Sequence, residues 1–262
     1  MGRADDGVHE NRIRSVVTTS TPQQGLRSDV RSATAGVVRS FVADPTFGNL
    51  PSLLLALTVV TGLVDAVSIL RLGRVFVANM TGNVVFLGFA AAGTAGFSLV
   101  ASLVALAAFL VGAAVGGRLV RRGGKAARLL ASAAFVESAL VAAALVVVVV
   151  TGLPARLAIA SAIAGLLALA MGVQNAVARH LAIPDLTTTV LTMALTGFVA
   201  DPRHHPRGRR AVSVIAMFAG ALLGAALVIH GQSEAALGAA TGLLLMVAAL
   251  SAWTSHPEPH TA

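Results

Sequence analysis

Residues Val75–Asn83 read VFVANMTGN. They sit between two strongly apolar runs in a chain of 262 residues that is 56% hydrophobic and only 11% charged. Two asparagines and a threonine have no role in the middle of an apolar region if the chain there is a simple spanning helix. Whether the backbone breaks at this point decides what is built around it.

Working outward, the composition sets the class. Soluble domains carry about 25% charged residues, so this chain belongs with membrane proteins before any motif is read. A span needs about 20 apolar residues to cross the hydrocarbon core. Six runs meet that length: Leu53–Leu70, Phe97–Gly117, Leu129–Thr151, Leu157–Val177, Ala211–Ile229 and Ala235–Trp253. Two further runs are irregular. One is Val75–Ala92, which holds the opening stretch; the other is Leu186–Ala200, LTTTVLTMALTGFVA, which is short and threonine-rich. Residues 1–48 lack a sustained apolar core and a signal-peptide apolar region, and read as a disordered basic cytoplasmic tail. Residues 49–253 form the membrane domain, and 254–262 a short C-terminal tail.

The net charge of +8 does not point to nucleic acid, because the basic residues cluster in short loops between apolar runs. Aromatics are 4% of the chain and tyrosine is absent, which argues against base-stacking platforms. If the six regular runs cross and the two irregular ones do not, 16 basic residues fall on one side and three on the other. If all eight cross, the division is 11 to 8. The positive-inside bias therefore favours six crossings plus two re-entrant or broken segments, with both termini cytoplasmic in a bacterial inner membrane.

The irregular runs occupy matching places. Shifted by 110 residues, Gly62 meets Gly172, Asp65 meets Asn175, Ala66 meets Ala176 and Val67 meets Val177; at 111, Thr81 meets Thr192; at 112, GAAV at Gly112–Val115 meets GAAL at Gly224–Leu227. This predicts an internal duplication with halves near 53–151 and 155–253. Three crossings per half make the halves inverted repeats, an arrangement used by secondary transporters.

Non-helical backbone at membrane depth persists only where protein or a wet cavity satisfies its polar groups. Asn79, Thr81, Gly82 and Asn83 read as a helix start within the membrane, with Thr81, Gly82 and Asn83 supplying the cap and a flexible joint. Such a start aims N–H groups inward and suits an anion or carboxylate. In the second half Pro184 blocks helix entry, and Thr188, Thr189 and Thr192 with Gln174 and Asn175 complete the candidate binding set. Asn, Thr and Gly also serve as helix-packing contacts, so both roles are open. Asp65 and Glu137 are the ionisable candidates for proton or ion coupling; an interfacial pair of Asp65 with Arg71 or Arg74 is the alternative for the first, and a structural hydrogen bond for the second. The GAAVG and GALLG runs at Gly112–Gly116 and Gly220–Gly224 read as close-packing faces. Enzyme motifs are absent: no HExxH, no GxSxG and no P-loop. No cofactor and no metal site is implied, and with no cysteine thiolate chemistry is excluded. The partners expected are membrane lipid, an unidentified small solute and a second copy of the chain in a homo-oligomer.

The block TGLVDAVSILRLGRVFVANMTGNVVFLG (61–88) resembles the first signature of the YoaK family of bacterial inner-membrane proteins. AMGVQNAVARHLAIPDLTTTVLTMALTGFVAD (170–201) resembles the second. In the latter Gly172, Gln174 and Asn175 match, Val173 departs from the family's Gly-Met-Gln-Asn cluster, and Met193 stands where a glycine is common. The resemblance covers roughly residues 50–253 and implies a membrane location. It implies no activity, because the family is defined by a domain of unknown function. The expectation is an all-α polytopic protein that acts as a permease for a small polar or anionic solute, with a non-transporting scaffold, sensor or assembly factor as the alternative.

Overall fold

In the computed structural model residues 47–153, 156–183, 196 and 207–254 are described. The second irregular run apart from Thr196, with Thr188, Thr189 and Thr192, nearly all of the basic tail, and the C-terminal tail beyond Thr254 lie outside them. The described residues form seven helices: α1 (Leu50–Arg71), α2 (Met80–Ala91), α3 (Leu99–Arg121), α4 (Ala126–Thr151), α5 (Leu157–Leu181), α6 (Arg207–Ile229) and α7 (Ser233–Thr254). Six are long and apolar enough to cross a membrane, and α2 is too short. The six correspond to the six regular runs of the sequence; five are extended by a few residues, and α3 begins two residues later than expected and runs four further.

Burial separates the helices into two kinds. In α1 and α5, 72% and 67% of the span is buried, against no more than 39% in the others. The outer helices turn large apolar side chains outward, among them Phe135 and Val149 on α4 and Phe218 and Leu222 on α6. A helix that is apolar on its outer face is solvated by lipid tails, not by water. The inner pair is α1 and α5, which touch each other; α6 and α7 cover α1, and α3 and α4 cover α5.

The α1–α6 and α3–α5 contacts are made through glycine. A Cβ on Gly62 would stand 2.6 Å from both the Met217 carbonyl oxygen and the Ala221 nitrogen, and one on Gly220 would strike the Val59 carbonyl. A Cβ on Gly224 would stand 3.0 Å from the Leu63 carbonyl oxygen. On the other side, a Cβ on Gly172 would strike the Phe109 carbonyl and one on Gly112 the Leu169 carbonyl; on Gly116 it would stand 2.8 Å from the Val173 carbonyl oxygen. The backbones touch with no side chain between them. In lipid, where apolar surface gains nothing by leaving its solvent, such close van der Waals contact is the main force left to join helices.

These contacts also fix direction. Along both seams the partner numbers rise together (Val59 with Gly220, Leu63 with Gly224; Leu169 with Gly112, Val173 with Gly116). Hence α1 runs parallel to α6, and α3 to α5. Residues 122–125 join α3 to α4, and 230–232 join α6 to α7. Connections of three or four residues span at most about 14 Å, far less than a helix of this length, so each pair is antiparallel. Arg74, just past α1, has its guanidinium carbon 6.0 Å from the ring of Phe97, just before α3. The end of α1 and the start of α3 therefore lie at one end of the bundle, and the chain from 72 to 98 returns to the end it left. At the opposite end lie Arg118, Arg121, Arg122, Lys125, Arg128 and Arg179, with Arg207, Arg209 and Arg210 opening α6; Arg71, Arg74 and Arg156 lie at the first end.

Packing through bare backbone makes the seam glycines sensitive to one methyl group. Gly112→Ala and Gly220→Ala are expected to lower stability by about 1–3 kcal/mol each, as overpacked sites do. Gly238→Ala and Gly242→Ala, whose added Cβ meets nothing within 4 Å, are expected to leave it unchanged or raise it slightly. Thermal unfolding of the four variants in detergent checks the order.

Candidate functional site

The site begins where α1 ends. Leu72 donates its N–H to the Ser68 carbonyl, and then Gly73 (φ +92°) and Arg74 (φ +56°) adopt left-handed conformations in succession. Glycine does this without penalty, whereas an arginine there is held by its surroundings. The chain reverses and runs back beside α1 as the non-helical segment 75–79, with Val75, Val77 and Ala78 buried.

Three consecutive amides of this segment leave the water and have no helical partner. Side chains supply them. Asp65 Oδ1 accepts from Val77 N at 3.0 Å and from Ala78 N at 3.1 Å. Asn83 accepts from Phe76 N through Oδ1 at 2.9 Å and donates through Nδ2 to the Phe76 carbonyl at 2.6 Å, so its carboxamide stands in for the backbone of a neighbouring strand. Asn79 caps α2 by accepting from Gly82 N at 3.3 Å. A Cβ on Gly82 would lie 2.6 Å from the Phe76 ring, so a larger residue there requires that ring to shift. That ring stacks on Phe86 at 5.5 Å, and Phe86 and Phe89 both pack on Phe97. The contacts tie α2 to the start of α3.

Asn79 and Asn83 are the hydrogen-bond partners of a broken backbone. The helix starts at Met80 with Asn79 as its cap, earlier than a start at Thr81–Asn83. Asn79 and Thr81 are exposed and Asn83 is fully buried. Asp65 pairs with backbone amides, while Arg71 donates to the Val228 carbonyl at 2.8 Å and Arg74 lies against Phe97.

A second polar group lies on the same helix. Gln174 of α5, buried, donates from Nε2 to Thr61 Oγ1 on α1 at 2.9 Å. Asp65 is one turn beyond Thr61, which places the two on one face. Asp65 Oδ2 and Gln174 Oε1 are buried with no hydrogen-bond partner. Asn175 donates to the Met171 carbonyl of its own helix at 2.8 Å. The structure thus brings Asp65, Asn83 and the fold-back together, and joins Gln174 to α1. Glu137 stands apart on α4, fully buried with neither oxygen partnered. Among the described residues no three His, Asp or Glu side chains cluster as metal ligands. Thr58, buried one turn before Thr61, is absent from the sequence-derived set; its signal was the spacing of Thr58, Thr61, Asp65 and Ser68, which puts all four on one helical face.

A bundle of six helices long and apolar enough to cross a membrane is that of a multi-pass membrane protein. The chain belongs to the DUF1275 family, described as a protein of unknown function, which matches residues 53–250. It is 35% identical over 156 residues to the UPF0700 transmembrane protein YoaK of Bacillus subtilis (strain 168). That match covers 57% of this chain and 66% of the relative, just under two thirds of its length. No solved structure matches.

The fold-back makes Asp65 and Asn83 structural before anything else. Asp65→Leu or Asn83→Leu strands buried amides, at about 1–3 kcal/mol for each group left unsatisfied, and is expected to lower the melting temperature in detergent. Asp65→Asn keeps an acceptor oxygen for Val77 and Ala78 and is expected to melt close to the parent.

Proposed function

We propose that this chain is a secondary transporter or permease for a small polar solute, built from two inverted repeats in a bacterial inner membrane with both termini cytoplasmic. The observation that carries the transport reading is a carboxylate buried on α1, one turn from the Thr61–Gln174 bond to α5, with one oxygen holding the fold-back and the other without a partner. Intramembrane ionisable groups are costly and mark solute or ion paths. Broken backbone beside them is the usual construction of a transporter site.

Support for the repeats comes from the glycine seams. Gly62, Leu63 and Ala66 on the first seam stand in the same contacts as Gly172, Val173 and Ala176 on the second, an offset of 110. Gly220 and Gly224 stand in the contacts of Gly112 and Gly116, an offset of 108. The equivalent glycines are thus one helical turn away from the GAAV/GAAL match made at 112. On this reading each half lays its first long helix against the second long helix of the other half, and α2 is a re-entrant helix. The basic end of the bundle is cytoplasmic by the positive-inside bias. Glu137 is the second ionisable group available for coupling. An anionic solute at the start of α2 has less support than a neutral or cationic one, since that helix turn is exposed and already capped by Asn79. The alternative, a non-transporting scaffold, is favoured by the way both asparagines of the first block are occupied by backbone.

The two readings part on access. The chain has no cysteine, so single cysteines can be placed without background. Under the transport reading, Thr58→Cys and Ser68→Cys react with a membrane-impermeant maleimide from both faces of the membrane, faster than Leu54→Cys. A scaffold packed around these positions leaves all three unreactive from either face, and that result would reject transport along α1.

A further inference from the structure

Resting on the reading of the polar face of α1 as a transport path, we infer that Thr61, Asp65 and Gln174, at the middle of the face that Thr58 and Ser68 extend, form a binding site for a monovalent alkali cation. The spacing of three, four and three residues lines Thr58, Thr61, Asp65 and Ser68 along one side of the helix. All are buried, with relative exposures of 4%, 1%, 5% and 0%.

What decides the ligand is which hydrogen-bonding capacity is left over. Thr58 donates its hydroxyl proton to the Leu54 carbonyl at 3.0 Å, Thr61 to the Leu57 carbonyl at 2.9 Å and Ser68 to the Asp65 carbonyl at 3.0 Å. A hydroxyl has one proton to give; with it spent inside the helix, each oxygen can offer only lone pairs. Thr61 uses one of these on Gln174. Asp65 has used Oδ1 on two amides and keeps Oδ2, and Gln174 keeps Oε1. The hydroxyls of the stripe are therefore acceptors only, and the donor left beside them is the second N–H of Gln174. An anion would face the Asp65 carboxylate with that single donor, while a cation finds hydroxyl, amide and carboxylate oxygens, the ligand set of hard metal ions.

Charge sets the valence. The stripe carries a single carboxylate, and the two nearest arginines in sequence point elsewhere, Arg71 to the Val228 carbonyl and Arg74 to Phe97. One buried negative charge balances one positive charge. All-protein sites for calcium and transition ions gather several carboxylate or imidazole ligands, and among the described residues no three His, Asp or Glu side chains stand together.

The test is equilibrium binding on the purified full chain in nanodiscs. Thermal unfolding is measured against NaCl and KCl, with choline chloride holding ionic strength constant. A site that binds only the folded protein gives a saturable rise, on the order of 2–4 °C for a chain of this size. Sodium or potassium is expected to produce that rise where choline does not, and the two arms identify the ion. Asp65→Asn, which keeps the Val77 and Ala78 bonds, is expected to abolish it, and Gln174→Leu to shift its midpoint to higher salt. Equal effects of all three salts, a rise retained in Asp65→Asn, or a response to pH alone would overturn the proposal. Binding needs no turnover, so an ion-dependent rise with no maleimide reactivity at Thr58 or Ser68 would keep the site and reject the transport path. Reactivity without the rise would do the reverse.

Discussion

The constraint on which the rest of this structure depends is that a peptide group in hydrocarbon must have a partner. A straight helix meets it internally, but the segment 75–79 does not. Its three consecutive amides at Phe76, Val77 and Ala78 are met by two side chains, Asn83 and Asp65. Each unpaired amide would cost more than a typical net hydrogen bond contributes. The polar residues of the first signature block are thus the condition for having a break at all. Because a carboxylate oxygen accepts two of the three bonds, the break also fixes a charge-bearing group inside the bundle.

Once the break exists, the remaining helices must be held around it without a hydrophobic driving force. The glycine seams do this by letting backbone meet backbone. The two inner helices, α1 and α5, each carry a glycine, Gly62 and Gly172, at the centre of a seam whose partner helix contributes two more. Close packing along one face of α1 leaves the adjacent face, with Thr58, Thr61, Asp65 and Ser68, directed away from that seam. The same helix therefore presents a tightly joined side and a polar side a fraction of a turn apart. A bundle that moves while keeping the first intact could open the second.

Much of this was legible in the sequence. Runs of apolar residues gave the six long helices to within a few residues, because length and composition dominate in lipid. The break at 75–79 was legible because valine, phenylalanine and asparagine together suit extended chain followed by a cap. What the side chains do there was not, since whether an asparagine faces a ligand or a backbone amide depends on where the chain turns. Two left-handed residues, Gly73 and Arg74, make that turn, and nothing in the identity of an arginine announces it. The glycine contacts were not legible by direct matching: GAAV and GAAL look alike at an offset of 112, whereas by the carbonyls they touch Gly112 stands as Gly220 does and Gly116 as Gly224 does. Thr58 lay in plain view at helical spacing from Asp65 but hid among apolar neighbours, because a single hydroxyl bonded to its own helix is unremarkable until its neighbours share the face.

The proposed duplication also shows what was preserved and what was not. At an offset of 110, the seam positions of α1 recur in α5 as the same kinds of residue: Gly62 and Gly172, Leu63 and Val173, Ala66 and Ala176. The polar face does not recur. Thr58, Thr61, Asp65 and Ser68 correspond to Ala168, Met171, Asn175 and Ala178, so three of the four oxygens are lost and the acid becomes its uncharged amide. Packing tolerates one geometry and is copied in both halves. Chemistry does not need two copies, and a second carboxylate beside the first would add a like charge that the apolar interior has no means to screen.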